Sequence, residues 1–277
     1  MVAMLGLPDE VRACLFDLDG VLTETAEIHA AAWKEMFDEF LASYPQSGAG
    51  RAGETSETSV RGGRGGRGGR GGDGSVDLRP FDAHDDYDQY VDGKPRLAGV
   101  EDFLASRHIQ LPKGSHDDPP TANTLYGLGN RKNVIVLRRV HDDGVKPYPG
   151  SVTYVEAVRR AGLRAGVVSS STNCRDVLQS AGILGLFDGI VDGHVAERDH
   201  LAGKPAPDTY LAGARLLDAS PAAAAVFEDA LAGVAAGRAG SFKFVVGVDR
   251  VGQATALLEH GASRVVTDLA ELLAARQ

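Results

Sequence analysis

The chain has 277 residues, 43% of them hydrophobic and 24% charged, enough apolar material for one large core and a smaller second domain. No stretch approaches the roughly 18 consecutive apolar residues that a membrane span needs, so a spanning segment is excluded. Lys and Arg number 29 against 38 Asp and Glu, a net charge of −9, which disfavours nucleic-acid binding unless basic residues gather locally.

The opening MVAMLGLPDEVRACLF has no basic segment followed by an apolar run and a small-residue cleavage site; no secretory signal is expected. Cys14 and Cys174 are the two cysteines, neither in a metal-ligand spacing, and a reducing, cytoplasmic location is expected. Residues 11–16, VRACLF, form an apolar run that stops at Asp17 and reads as a first strand. A helical pattern follows from Ala26 to Leu41, with Ile28, Ala32, Trp33, Met36, Phe37 and Phe40 on one face. Residues 61–72 read RGGRGGRGGRGG inside a Ser/Gly/Thr-rich stretch of about 47–76. That stretch has too little apolar surface to offset its ordering entropy, so disorder is expected. It reads as a tolerated loop insertion or as an RGG element that contacts RNA through arginine.

Helix-like patterns recur near 82–91, 98–107 and 121–139. From Pro149 the texture changes to helices alternating with short strands. VTYVEAVRRAG, CRDVLQSAG, about 207–217 and about 231–238 read as helices; LRAGVVS, FDGIVDG, AAVFED and KFVVGV read as strands, before a C-terminal αβα stretch. Such alternation implies right-handed crossovers and a mainly parallel sheet. The fold class is α/β, with a helical segment inserted after the first strand.

Ligands of open parallel sheets bind beyond the carboxyl ends of the strands. The polar residues there are Asp17 and Asp19 after the first strand, Ser169 after the second, Lys204 after the third, and Glu228 and Asp229 after the fourth. Singly, each has an ordinary use as a turn former, a helix cap or a solvated charge. Together, clustered carboxylates call for a cation, and all-oxygen ligation suits Mg²⁺ with a substrate phosphate. A lysine and a hydroxyl would then balance the phosphate charge, leaving one aspartate free as nucleophile.

FDLDGVLT (16–23), VVSSST (167–172), GKPAPD (203–208) and FEDALAG (227–233) resemble the four motifs of the haloacid dehalogenase superfamily. The resemblance spans the chain outside the low-complexity insert. It implies a Rossmann-like core at 1–25 and 148–277 with an α-helical cap at 26–147. It also implies Asp17 as nucleophile, Asp19 as general acid/base, and Ser169 and Lys204 as phosphoryl-binding groups. Mg²⁺ would be held by Asp17, the Asp19 backbone carbonyl and Asp229, with Glu228 in support. The second aspartate favours phosphoryl transfer over dehalogenation.

More finely, FDLDGVLTETAEIHAAAW (16–33) is similar to the β-phosphoglucomutase-like subfamily, including Thr25, His29 and Trp33. DGKPRLAGV offers Gly93 and Arg96 as a phosphate-binding loop, NRKN resembles the segment that places Lys132 and Asn133 at the cap–core interface, and SSSTN resembles a distal phosphate loop, with Ser171 and Asn173 matching and Ser170 a further candidate binding residue. Thr172 stands where that subfamily has a lysine; Arg175 is the nearby candidate for the missing charge. His29 reads either as a coupling between cap closure and Asp19 or as an interface histidine, and Trp33 as cap core or as a wall of the sugar site. The resemblance implies exchange of β-D-glucose 1-phosphate and glucose 6-phosphate through an aspartyl phosphate, with glucose 1,6-bisphosphate as activator and intermediate. A sugar-phosphate phosphatase is the alternative, and an RNA-associated protein acting through the RGG repeat a more distant one. A monomer with a small sugar-phosphate substrate, and no membrane or nucleic-acid partner, is expected.

Overall fold

The computed structural model describes residues 5–45 and 76–274, so the expected disordered insert lies, apart from Val76, outside the described residues. Strand β1 (Ala13–Phe16) sits between two parallel partners, β2 (Arg164–Val168) and β4 (Ala224–Glu228). With β3 (Gly189–Val191), β5 (Phe244–Val248) and β6 (Arg264–Val266), they form a six-stranded sheet of order β3-β2-β1-β4-β5-β6. All of β1 is buried, as a parallel strand covered on both faces must be.

Alternation along β1 feeds two cores. Cys14 and Phe16 join Tyr154, Val177 and Leu178 on one face, which is covered by α4 (Pro149–Arg160) and α5 (Cys174–Ser180). Ala13 and Leu15 join Tyr210, Val234 and Leu257 on the other. That face is covered by α7 (Asp208–Leu216), α8 (Leu231–Ala239) and α9 (Ala254–Glu259). Short helices α6 (Gly193–Arg198) and α10 (Glu271–Ala274) complete the layers. The expected strand at 187–193 is shortened because the Asp192 carboxylate accepts the Val195 N–H at 2.9 Å and starts α6.

The inserted segment contains α1 (Ala26–Ser43), α2 (Arg96–Ser106) and α3 (Leu125–Asp143). The face expected on α1 is the one buried, apart from Ile28, which is partly buried. Its Phe37 ring lies 5.3 Å from Phe81 and 4.0 Å from Phe103 of α2, and this aromatic group is the core of the segment. Two expectations shift. In 82–91 helix starts only at Asp85 and continues as a π-helical turn over Tyr87–Val91, because the Asp82 carboxylate accepts the His84 and Asp85 N–H groups and sets up a turn first. The helix expected at 121–139 is α3 at Leu125–Asp143: Thr124 caps it by accepting the Gly127 N–H at 2.9 Å.

The two connections to the segment run side by side. Glu24 N–H donates to Lys146 O at 2.9 Å and Tyr148 N–H to Leu22 O at 3.0 Å. Strand order reverses between β1 and β4, the switch point at which doubly wound sheets bind ligands. The chain places Asp17 at one lip of that crevice and Glu228 and Asp229 at the other. Among the described residues no helix is long and apolar enough to cross a membrane.

Candidate active site

Asp17 follows β1, its N–H donating to Phe227 O of the neighbouring strand at 2.9 Å. Its carboxylate accepts from Lys204 Nζ at 2.5 Å, and the same ammonium donates to Glu228 Oε2 at 2.7 Å. All three residues are buried. Burial alone would lower the Lys204 pKa, but Asp17 and Glu228 override it and hold the ammonium well above the usual lysine range. Tyr210, which the sequence reading missed, donates its hydroxyl to Glu228 Oε2 at 2.5 Å. Glu228 Oε1 accepts the Ala230 N–H at 3.2 Å. Glu228 is thereby fully engaged as the support that fixes Lys204.

Oxygen atoms of Asp17, Glu228 and Asp229 lie within 4.8 Å of one another. Burial, and then the neighbouring Glu228, raise Asp17 well above the carboxylate range; burial, Asp92 and Glu228 do the same for Asp229. Asp17 and Asp229, with carboxyls raised by burial and by neighbouring carboxylates, form with Glu228 a set short of positive charge, and its hard oxygen donors fit Mg²⁺. Gly20 makes the cradle: with φ +80, a Cβ there would fall 1.8 Å from Asp229 Oδ2.

Asp19 is held apart from this set. Its Oδ1 accepts a short hydrogen bond from the Thr25 hydroxyl and lies 3.4 Å from His29 Nε2. Lys132 Nζ lies 2.7 Å from the other ring nitrogen, Nδ1, and 4.9 Å from the centre of the Trp33 ring. Burial would raise Asp19, yet His29, Thr25 and Lys132 together bring its carboxyl down to about 2. Burial pushes the Lys132 ammonium down to about 7. Thr25 is fully buried behind Asp19 and orients it rather than meeting a ligand. Trp33 is both core and wall: it is 3% exposed, stacks on Phe37, and lines the cavity.

Arg96 opens α2 and reaches back to the core, donating to Thr172 Oγ1 at 3.2 Å and to Asn130 Oδ1 at 3.3 Å. Ser169 and Ser171 organise the loop after β2: Ser169 Oγ accepts the Ser171 N–H and Ser171 Oγ accepts the Asn173 N–H, both at 3.1 Å. Asn173 donates to Asn133 Oδ1 at 2.8 Å, and Ser170 Oγ donates to Gly93 O at 2.9 Å. Arg175 does not supply the charge lost at Thr172. Its Nε is 3.9 Å from Asp192, its side chain is 63% exposed, and it is not among the residues lining the cavity.

One cavity of about 80 Å³ joins these parts. Its lining includes Asp17, Asp19, Glu228, Asp229, Arg96, Ser169–Asn173, His29, Trp33, Gly93, Lys132 and Asn133; Ser169 follows β2 beside Asp17, since Phe16 pairs with Val167, whereas Arg96 meets the loop further on, at Thr172. Lys204 lies beneath the floor, buried under Asp17 and Glu228. Tyr87 and Asp92, also in the lining, were not found from the sequence. Burial, with the neighbouring Glu228, lifts the Asp92 carboxyl to about 7.

A carboxylate held by a fixed ammonium, a candidate cation set and a second carboxylate set apart from it are the kinds of group that phosphoryl transfer to an aspartate needs. The model of the haloacid dehalogenase-like hydrolases matches residues 11–240. The chain belongs to that family. This haloacid dehalogenase-like enzyme is 53% identical to the β-phosphoglucomutase of Mycobacterium tuberculosis, over 98% of this chain and 94% of that one. It is 28% identical to the β-phosphoglucomutase of Bacillus subtilis, over 95% and 92% of the two chains. Among solved structures, β-phosphoglucomutase from Clostridium difficile superposes with a TM-score of 0.67 at 22% identity, covering 95% of this chain and 93% of that one. CbbY from Rhodobacter sphaeroides, in complex with phosphate, gives 0.64 at 22% identity over 95% and 96%. These structural likenesses establish the shared α/β fold with its helical cap.

Proposed function

We propose that this haloacid dehalogenase-like enzyme is a Mg²⁺-dependent β-phosphoglucomutase. It interconverts β-D-glucose 1-phosphate and glucose 6-phosphate through an aspartyl phosphate and glucose 1,6-bisphosphate. In this reading residues 1–25 and 148–277 are the catalytic core and 26–147 the cap. The single observation that carries it is one cavity lined both by Asp17 with its carboxylate neighbours and by Arg96 with the Ser171–Asn173 loop, two groups suited to two phosphates. The 53% identity to a β-phosphoglucomutase supports the same reading.

Asp17 attacks the phosphoryl group, and Lys204, fixed by Glu228 and Tyr210, balances the charge that gathers on its oxygens. Asp17, the Asp19 backbone carbonyl and Asp229 would hold Mg²⁺, with Glu228 in support; when bound, the ion neutralises phosphate charge and orients the transferred group. Asp19, ionised because His29, Thr25 and Lys132 favour its charged form, takes the proton from the attacking sugar hydroxyl and returns it in the reverse direction. Arg96, with Ser171 and Asn173, grips the second phosphate; a planar guanidinium suits that task. The bisphosphate then turns end for end and presents its other phosphate to Asp17.

A cavity of about 80 Å³ is far smaller than the roughly 300–1,000 Å³ of small-molecule sites. Substrate entry therefore requires the cap to open about the paired linkers at 22–24 and 146–148, and closure then excludes water from the aspartyl phosphate. Thr172, which leaves the distal site with one guanidinium, favours the second reading, a sugar-phosphate phosphatase. The test follows glucose 6-phosphate and free phosphate together from β-glucose 1-phosphate, with Mg²⁺ and a trace of glucose 1,6-bisphosphate. Isomerised sugar with little free phosphate is expected. Free phosphate without isomerised sugar makes the protein a phosphatase.

A further inference from the structure

The two linkers between core and cap meet a side chain that lies outside the cavity lining and outside the four strand-end motifs. Arg250 stands two residues after β5 and reaches three separate parts of the chain. Its Nε donates to Gly20 O and its Nη1 to Thr267 O, both at 2.7 Å. The centre of the guanidinium lies 3.6 Å from the centre of the Tyr148 ring, a close cation–π contact. Arg250 is not among the residues that line the cavity, so it has no part in holding a ligand there.

Each part that it touches bears on the site. Tyr148 ends the return linker, its N–H donating to Leu22 O at 3.0 Å. Gly20 follows Asp19, donates its N–H to Thr23 O at 2.9 Å, and at φ +80 lies against Asp229. Thr267 precedes Asp268, which packs on the start of α4: a Cβ on Gly150 would fall 1.7 Å from Asp268 Oδ1. The loop that carries Arg250 is itself fixed, because the Asp249 carboxylate accepts the Gly252 and Gln253 N–H groups at 2.7 and 2.8 Å. Gln253 also donates to Asp229 O at 3.1 Å, so this one loop braces both lips of the crevice. A planar guanidinium can place two donors on two carbonyls and still offer its face to a ring, which a lysine cannot. Its Nη2 is buried with no partner among the described residues, a cost that is relieved when the linker turns and water reaches it.

We propose that Arg250 is a positioning residue that couples the return linker, through the Tyr148 ring, to the Gly20 turn that carries Asp19 and cradles Asp229. The inference rests on the core-and-cap mutase reading above. With Tyr148 seated on the guanidinium, the linker and the turn share one support, and the acid/base carboxylate and the cation set are aligned as the cap shuts. Without that support the turn shifts, and a displacement of about 1 Å at a reacting group is enough to slow chemistry severely. A loosely seated linker also lets water reach the aspartyl phosphate. Substrate binding is spared, because Arg250 does not line the cavity.

The test measures kcat and KM for β-glucose 1-phosphate, the share of turnovers that end in free phosphate, and the melting temperature. It uses the full-length protein, Arg250→Met, Arg250→Lys, Tyr148→Phe, Tyr148→Ala and the double variant Arg250→Met/Tyr148→Ala, with p-nitrophenyl phosphate hydrolysis followed alongside. In Arg250→Met, kcat is expected to fall about tenfold with KM within about twofold, and the free-phosphate share to rise several-fold. Tyr148→Phe keeps the ring and should match the wild type, whereas Tyr148→Ala should repeat the Arg250→Met pattern. The double variant should fall no further than the worse single one, since both break the same contact. A purely structural role would lower the melting temperature and leave the free-phosphate share unchanged. Wild-type kcat and free-phosphate share in Arg250→Met overturn the proposal, as do full recovery in Arg250→Lys, which makes charge alone responsible, and losses that multiply in the double variant. A wild-type protein that forms no glucose 6-phosphate overturns the mutase reading; the double-variant comparison on p-nitrophenyl phosphate then still decides whether Arg250 and Tyr148 act as one.

Discussion

Lys132 Nζ lies 2.7 Å from His29 Nδ1, although the two residues are 103 positions apart in the chain. An ammonium has no lone pair, so it donates and the ring nitrogen accepts. The imidazole then carries its proton on Nε2, the atom 3.4 Å from Asp19 Oδ1. Two residues on different helices, His29 of α1 and Lys132 of α3, thereby converge on Asp19 and favour its charged form.

That relay has a pH signature. Burial depresses the Lys132 pKa to about 7, so the ammonium is present below that pH and lost as pH rises through it. The kcat/KM profile is expected to fall on its alkaline side near pH 7. Lys132→Met should lower the acid-side plateau about 10–100-fold and abolish that limb. A variant that keeps the wild-type alkaline limb would refute the relay.

Asp17→Asn removes the carboxylate proposed as nucleophile while leaving a side chain of the same shape against Lys204. Turnover is expected to fall by at least about a thousandfold, with no covalent phosphoryl adduct in intact-mass spectra. Appreciable turnover by purified Asp17→Asn would show that another group is phosphorylated.

Arg96→Ala removes the guanidinium that spans Thr172 and Asn130. Because its partners are Thr172 and Asn130 and not Asp17 or the carboxylates around it, mutase turnover should drop about a hundredfold and hydrolysis of a small aryl phosphate far less. Equal losses on the two substrates would remove Arg96 from the distal phosphate site.

Gly20→Ala tests the cation cradle. The backbone φ of +80 and the 1.8 Å approach to Asp229 Oδ2 predict a stability loss of about 1–3 kcal/mol. Weaker Mg²⁺ binding by calorimetry should accompany it, since Asp229 has to move. Chelation of divalent ions should stop turnover in the wild-type protein, and added Mg²⁺ should restore it. Unchanged Mg²⁺ affinity in Gly20→Ala would show that Asp229 is not a ligand.

The sequence by itself determined the alternation of buried strands and amphipathic helices, because period and burial are local properties that the order of apolar residues records. It also placed Asp17, Ser169 and Asp229 just beyond strand ends, where the structure has them, since a parallel sheet puts its polar punctuation on one edge. Helix limits in the inserted segment were less legible: Asp82 and Thr124 displaced them through side-chain caps that apolar period does not encode. Tertiary structure alone decided which groups meet. Tyr210 reaches Glu228 from a helix on the far face, Arg175 turns to Asp192 instead of the cavity, and Asp92 is pressed over the core by Gly93 and Pro95. Nothing in the residues around these positions marks them, because each pairing depends on where the closed cap and the sheet edge come together in space.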